Sequence, residues 1–352
     1  MGDIKLKKGT GILFVMAVLF ISSLIYLHYG DQNTLRVGIF YGSNWEVPGT
    51  VHYEILDQAI KKFESKYPNV KVEYEKGILS NDYSEWLSEQ ILKGTEPDVY
   101  LVLDEDFNTL ASLGALKNLD MLVGGDKEFD FNVFYSSVYK AGKYEGSQYA
   151  LPMECNPTLM FVNKTLLQKE GIKVPDNDWT WDDFYDICKT IVKDSDGDGQ
   201  MDQFGCYDYT WLQAVYSNGI TPFNQSGTSS NFLDEKFSQS LEFVKRLEAT
   251  NRNYQVTSND FDLGKVAFRP FTFSDYRTYM PYPWRIKKYS GFEWTCIRMP
   301  AGPSGDNRSE MSALMAGMSS RTEKKQCAWD FVKLLTTDTD IQKLVYEDTS
   351  AA

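Results

Sequence analysis

Between Thr34 and Leu103 the hydrophobic period switches repeatedly between that of a strand and that of a helix, and this order restricts the fold more than any other feature. Leu35, Val37, Ile39 and Tyr41 alternate, as a strand with one face on a core does. Past the turn-rich stretch 42–50, Ile55, Leu56, Ala59, Ile60 and Phe63 recur at helical spacing, and Pro68 stops that helix. Val70, Val72 and Tyr74 alternate again. A second helix is expected from Asp82, with Glu85 three residues on as a capping pattern, carrying Trp86, Leu87 and Ile91 and ending at Gly94. DVYLVL at 98–103 then reads as a short buried strand. A β-α-β-α-β series with short links implies an α/β fold with a parallel, doubly wound sheet. In such sheets ligands sit beyond the carboxyl ends of the strands. Segments 42–46 and 104–106 fall there.

The middle of the chain continues in the same style. Leu159 to Asn163 reads as extended, and Thr180 caps a helix with the stripe Phe184, Ile187, Cys188, Ile191 and Val192. Ala328, Phe331, Val332 and Leu335 form a late stripe. A length of 352 residues fits two domains or one bilobal fold.

Several function classes are excluded. A net charge of -13 leaves no basic footprint for nucleic acid. The two histidines, His28 and His52, cannot build a Ser-His-Asp triad, a Cys-His dyad or a histidine zinc site. Cys155, Cys188, Cys206, Cys296 and Cys327 are scattered without CxxC spacing, so buried free thiols are expected, with one disulfide as the alternative. The 14% of aromatic residues suits either a large core or a site for flat apolar faces such as sugars present.

Residues 1–30 read as an address. Lys5, Lys7 and Lys8 precede an uncharged stretch from Gly9 to Gly30, with neither a small-x-small cleavage pattern nor a lipobox cysteine after it. An uncleaved membrane anchor is expected, with the remainder outside the cell; a cleaved secretory signal is the alternative.

Six segments in order then resemble one family. DQAIKKFESKYPNVKV at 57–72, EPDVYLV at 96–102 with LGALKNLD at 113–120, and QYALPMECNPTLMFVNKTLLQKEGI at 148–172 come first. VPDNDWTWDDF at 174–184, FDLGKVAF at 261–268 and SALMAGMSSRTEKKQCAWDFVKLL at 312–335 follow. Together they are similar to the extracellular solute-binding proteins of ABC importers, of the sugar-binding, maltose-binding-protein-like type. Phe161-Val162-Asn163 stands where that family often has Tyr-Tyr-Asn, and family members usually continue with further helices beyond the position of Leu344.

The resemblance implies a two-lobed, type II periplasmic-binding-protein-like fold. Crossings are expected at Met153–Pro157 and Cys296–Pro300, giving lobe one as 34–155 plus 297–336 and lobe two as 156–296 plus 337–352. It implies a monomer that traps a mono- or oligosaccharide by hinge closure and presents it to permease subunits, with no chemistry on the ligand and no cofactor. Position at strand ends, crossings and irregular loops nominates Asn44, Trp45, Asp104, Glu105, Glu154, Tyr207, Trp211, Tyr276, Arg277 and Trp284 as ligand-binding. Trp45 could instead pin a turn, Asp104 could cap a helix and Glu154 could form a hinge salt bridge.

DSDGDGQMD at 194–202 has the spacing of an EF-hand-like loop. Asp194, Asp196 and Asp198 stand at positions 1, 3 and 5, Gly199 at 6, Gln200 at 7 and Asp202 at 9. A structural Ca2+ is expected there, although position 12 is Gly205 rather than glutamate. Two other readings stay open. One is an extracellular carbohydrate-active enzyme using Asp104 and Glu154 as paired carboxylates. The other is a ligand-presenting partner of a membrane sensor.

Overall fold

The computed structural model describes residues 33–45, 52–224, 227–275 and 291–348. The segment 1–30 lies outside them. No described helix is long and apolar enough to cross a membrane.

Strands β1 (Thr34–Gly38), β2 (Lys71–Tyr74) and β3 (Val99–Val102) are parallel, with β1 in the middle, as the alternating pattern requires. Helices α1 (His52–Lys66) and α2 (Tyr83–Lys93) connect them. Gly94 ends α2 at a φ of 70°, a conformation that costs glycine no Cβ clash. The start of α2 differs from expectation. A 3-10 turn over Ser80–Asp82 leads straight into the helix, Asp82 already has right-handed helical geometry, and its side chain makes no capping bond. Helix α3 (Asp104–Ser112) follows β3, and a small hairpin of β4 (Lys143–Tyr144) and β5 (Ser147–Gln148) precedes the central strand.

That strand, β6 (Ala150–Asn163), has 14 residues and reaches about 45 Å, long enough to serve two lobes. Up to Pro157 it pairs antiparallel with β10 (Met311–Met318). From Thr158 it pairs instead with β8 (Val266–Thr272), and from Met160 also with β9 (Trp294–Ile297). With β7 (Phe204–Cys206) at the edge, the sheet order is β2-β1-β3-β10-β6-β8-β7, with β9 beside β6. Lobe two adds α4 (Trp181–Ile191), α5 (Trp211–Ser217) and α6 (Glu235–Glu248). A Thr180–Asp183 capping box starts α4, which buries Phe184, Cys188 and Ile191 as its stripe predicts.

Lobe one has a continuous core from Leu35 to Val345. Lobe two packs both faces of its sheet. One holds Phe184, Phe243 and Phe268; the other holds Phe161, Phe204, Phe261 and Phe271. All five cysteines are free, so the disulfide alternative falls.

Two boundaries need correction. Cys296 is inside β9, opposite Phe161, and the chain does not cross there. Residues 301–307 stay on lobe two: Ala301 bonds to the Trp179 carbonyl, Gly302 to that of Ser217, and Ser304 to the Asn218 side chain. The return comes at Glu310–Met311, where the Glu310 carbonyl accepts from Thr158 N–H and Met311 pairs with Pro157. The tail also changes lobe. After α7 (Lys325–Thr337), α8 (Thr339–Asp348) sends Ile341 and Val345 into the lobe-one core, and Lys62 on α1 pairs with Asp338 and Asp340. Two apolar side chains at helical spacing find an open face there, which a sequence pattern cannot assign to either lobe.

Candidate ligand-binding site between the lobes

The carboxyl ends of β1 and β3 and the crossing strand β6 meet on one side of lobe one. Past β1, the Ser43 hydroxyl accepts from Trp45 N–H at 2.9 Å and holds the turn. The Trp45 indole N–H donates to Glu154 Oε2 at 2.8 Å. Glu154 is 1% exposed and sits on β6 opposite Leu314, just before the strand changes partners. Burial, and then the Glu154 charge, pushes the adjacent Cys155 thiol up to about 11.

Asp104 does not cap α3. Leu103 occupies the cap position, and Ala313 N–H on β10 lies close enough to the Asp104 carboxylate to favour its charged form. Asp104 remains open to solvent. Protein packed around it raises its pKa, and the neighbouring Glu105 charge raises it further. Glu310, in the return crossing, is raised by burial and then by Asp104. From lobe two, Tyr216 on α5 is raised by burial and by the charges of Glu310 and Asp104. Asp104, Glu310 and Tyr216 thus form one electrostatic group drawn from lobe one, the crossing and lobe two.

The hinge side is pinned by a reciprocal pair. Asn156 Nδ2 donates to Ser274 Oγ at 2.8 Å, and Ser274 N–H donates back to Asn156 Oδ1 at 3.0 Å. Carboxylates and a phenol can accept from ligand hydroxyls, and an indole can cover an apolar ring face.

The family described as "Bacterial extracellular solute-binding protein" matches residues 48–341. The chain belongs to that family. Among curated relatives of this solute-binding protein is the "Multiple sugar-binding protein" of Streptococcus mutans, 28% identical over 138 residues. That match covers 39% of this chain and spans only 30% of the relative's length. Solved structures share the fold. UspC of M. tuberculosis has a TM-score of 0.71 at 17% identity, covering 90% of this chain and 80% of that one. The sugar-binding protein MalE of Xanthomonas citri has a TM-score of 0.71 at 17% identity, covering 90% and 78%. The ABC substrate-binding protein of Listeria monocytogenes in complex with cycloalternan has a TM-score of 0.60 at 23% identity, covering 90% and 78%. The fold is therefore the two-lobed α/β fold of these binding proteins, and the family is extracytoplasmic.

Of the residues nominated from the sequence, the solute-binding protein brings Trp45, Glu154, Asp104 and Glu105 to the interlobe side of lobe one, with half-buried Asn44 next to Trp45. Tyr207 and Trp211 line a recess whose walls are all lobe two. Tyr276, Arg277 and Trp284 lie outside the described residues. Sequence reasoning missed Glu310, Tyr216 and the Asn156–Ser274 pair. Glu310 lies only one residue from the start of β10, the position that marks a strand end, and that signal was available. Tyr216 carries none, because it reads as one more aromatic on a buried helix.

In the acidic loop, Asp194, Asp196 and Asp202 offer carboxylate oxygens within 4.8 Å of one another. Asp198 is outside this group; its carboxylate accepts from Gln200 N–H. Asp194 accepts from Gly197 and Gly199 N–H, and these bonds lower its pKa. Gly205, at the twelfth position, is buried against Cys188, so no side chain can enter the loop from there.

Proposed function

We propose that this protein binds a saccharide between its lobes and delivers it to an ABC permease without altering it. The observation that carries the reading is the membership of the chain in the solute-binding family, with the Trp45–Glu154 bond on the strand that passes between the lobes and the acids Asp104 and Glu310 and the phenol Tyr216 acting on one another beside it. Acceptor-rich side chains flanked by rings suit hydroxyls on a flat apolar frame. The names of relatives point the same way: a multiple sugar-binding protein, and binding proteins solved with cycloalternan or mannotriose. Hinge closure would draw on the two narrow crossings at Pro157–Thr158 and Glu310–Met311.

The test is a thermal-shift screen against mono- and oligosaccharides, with amino acids and peptides as controls. At a hundredfold excess over Kd, a ligand of the folded state adds about 2.7 kcal/mol. A shift with one saccharide class and no product formed supports the reading; a shift only with amino acids or peptides overturns it.

The N-terminal segment is proposed as an uncleaved anchor on the outer face of the cytoplasmic membrane, supported by its basic flank and apolar run. Mass spectrometry of the mature protein that finds residues 1–30 removed refutes that. The acidic loop is proposed to hold a structural Ca2+, supported by the three converging carboxylates. Millimolar calcium is expected to raise Tm, and an unchanged Tm refutes it.

A further inference from the structure

Lobe two holds a recess of about 770 Å3, a volume within the roughly 300–1,000 Å3 of small-molecule sites. Its walls are the loop Cys206–Trp211, the carboxyl end of α6 and the segment 251–256. No lobe-one residue lines it, so it is complete whether or not the lobes close. Three rings at its border are braced by protein. Tyr254 stacks on Phe204 at 4.5 Å, Trp211 rests near Phe237 at 5.8 Å, and the Arg269 guanidinium lies 4.8 Å from the Tyr207 ring. Tyr254 and Trp211 nevertheless keep 44% and 41% of their surface exposed.

Between the rings stand the amides of Asn251, Asn253 and Gln255. Asn251 Oδ1 is buried and accepts no hydrogen bond among the described residues, a state that costs about 1–3 kcal/mol. The backbone is also held in an uncommon form. Asp208, Arg252 and Asn253 have φ of 64°, 52° and 68°, and they are three of the four non-glycine residues with positive φ among those described. Lys245 is offset by Asp208 and Glu248, so the lining offers no excess positive charge to an anion.

We propose that this recess is a second saccharide site, carried by lobe two alone and independent of closure. Braced rings take the C–H face of a neutral sugar, and the amides of Asn251, Asn253 and Gln255 meet its hydroxyls. The ligand class rests on the saccharide reading as well as on this lining.

The experiment is calorimetric titration of the full chain with maltotetraose and with mannotriose. Two binding events are expected with one of these probes. Gln255→Trp, at an exposed position, fills the recess and removes one event; Asn251→Ala weakens the same event about fivefold. Glu154→Gln, in the cleft, alters only the other event. A single event that Glu154→Gln weakens and Gln255→Trp leaves intact overturns the second site while the cleft reading stands. A single event abolished by Gln255→Trp and indifferent to Glu154→Gln supports the recess and removes the cleft. No event with either probe in folded protein overturns the recess and counts against the saccharide reading.

Discussion

At the amino end of β3, Asp98 is buried and both of its oxygens are taken: Oδ2 accepts from Arg36 N–H and Lys324 Nζ, and Oδ1 from the Thr322 hydroxyl. Glu96 beside it accepts from the Ser319 hydroxyl and the Arg321 guanidinium. At the carboxyl end, Asp104 lies near one backbone N–H, stays open to solvent, and among the described residues has no cation paired with it. The groups acting on it are acids, Glu105 and Glu310. One end of the strand uses its carboxylates to tie β1, β3 and the turn before α7 together. The other holds acceptors in reserve. A parallel sheet forces this division, because its carboxyl ends all open on the same side, where the crossing segments leave a concavity.

The contrast breaks most easily at Asp98. Asp98→Ala takes the shared acceptor from Arg36 N–H, the Thr322 hydroxyl and part-buried Lys324 and is expected to cost about 3–5 kcal/mol, read from the denaturation midpoint. A similar loss from Asp104→Asn would mean that both ends are structural. We expect Asp104→Asn to leave stability within about 0.5 kcal/mol while weakening saccharide binding about tenfold by calorimetry. Trp45→Phe removes the indole donor from buried Glu154 and is expected to cost about 1 kcal/mol of stability.

The finest test is pH. Protein packed around them and neighbouring charge raise Asp104 and Glu310 above their ordinary values, so their contribution to stability is full below the ordinary carboxylate pKa of about 4 and is lost as pH rises through the raised values. Asp126 behaves oppositely. Burial alone would raise it, but the Lys333 ammonium and the Trp329 indole N–H hold it down at about 2. Its contribution is present above the ordinary value and is lost as pH falls toward 2. Replacing Asp104 and Glu310 by amides should flatten the Tm profile just above pH ~4, and Asp126→Asn should flatten it on the acid side. A profile unchanged by either substitution would erase the distinction between cleft and structural acids.

The two halves of the molecule were unequally legible. In lobe one, the period switches at 34–103 predict the strands and helices, because β1 and β2 alternate between buried and exposed positions and β3 is one short, wholly buried run. The strand-end rule then points to Trp45 and Asp104. Lobe two is harder. Its sheet is covered on both faces, so aromatic residues recur without a clean period, and Tyr216 looks no different from a core residue. The second crossing was misplaced for a related reason. The side chain of Asn218 and the carbonyls of Trp179 and Ser217 hold residues 301–304 on lobe two, a tie across more than 80 residues of chain that no local pattern records.

By itself the sequence determined the element order, the parallel start of the sheet, the family and the exclusion of histidine chemistry, because period, spacing and residue inventory are local properties. Only the tertiary structure decided that β6 would serve both lobes, that α8 would close the core of lobe one, and that Glu310 and Tyr216 would join Asp104. It also decided that Tyr207 and Trp211 would wall a recess within lobe two. Each of these depends on which distant backbone groups satisfy one another and which apolar faces remain to be covered, and both are settled only when the whole chain is packed.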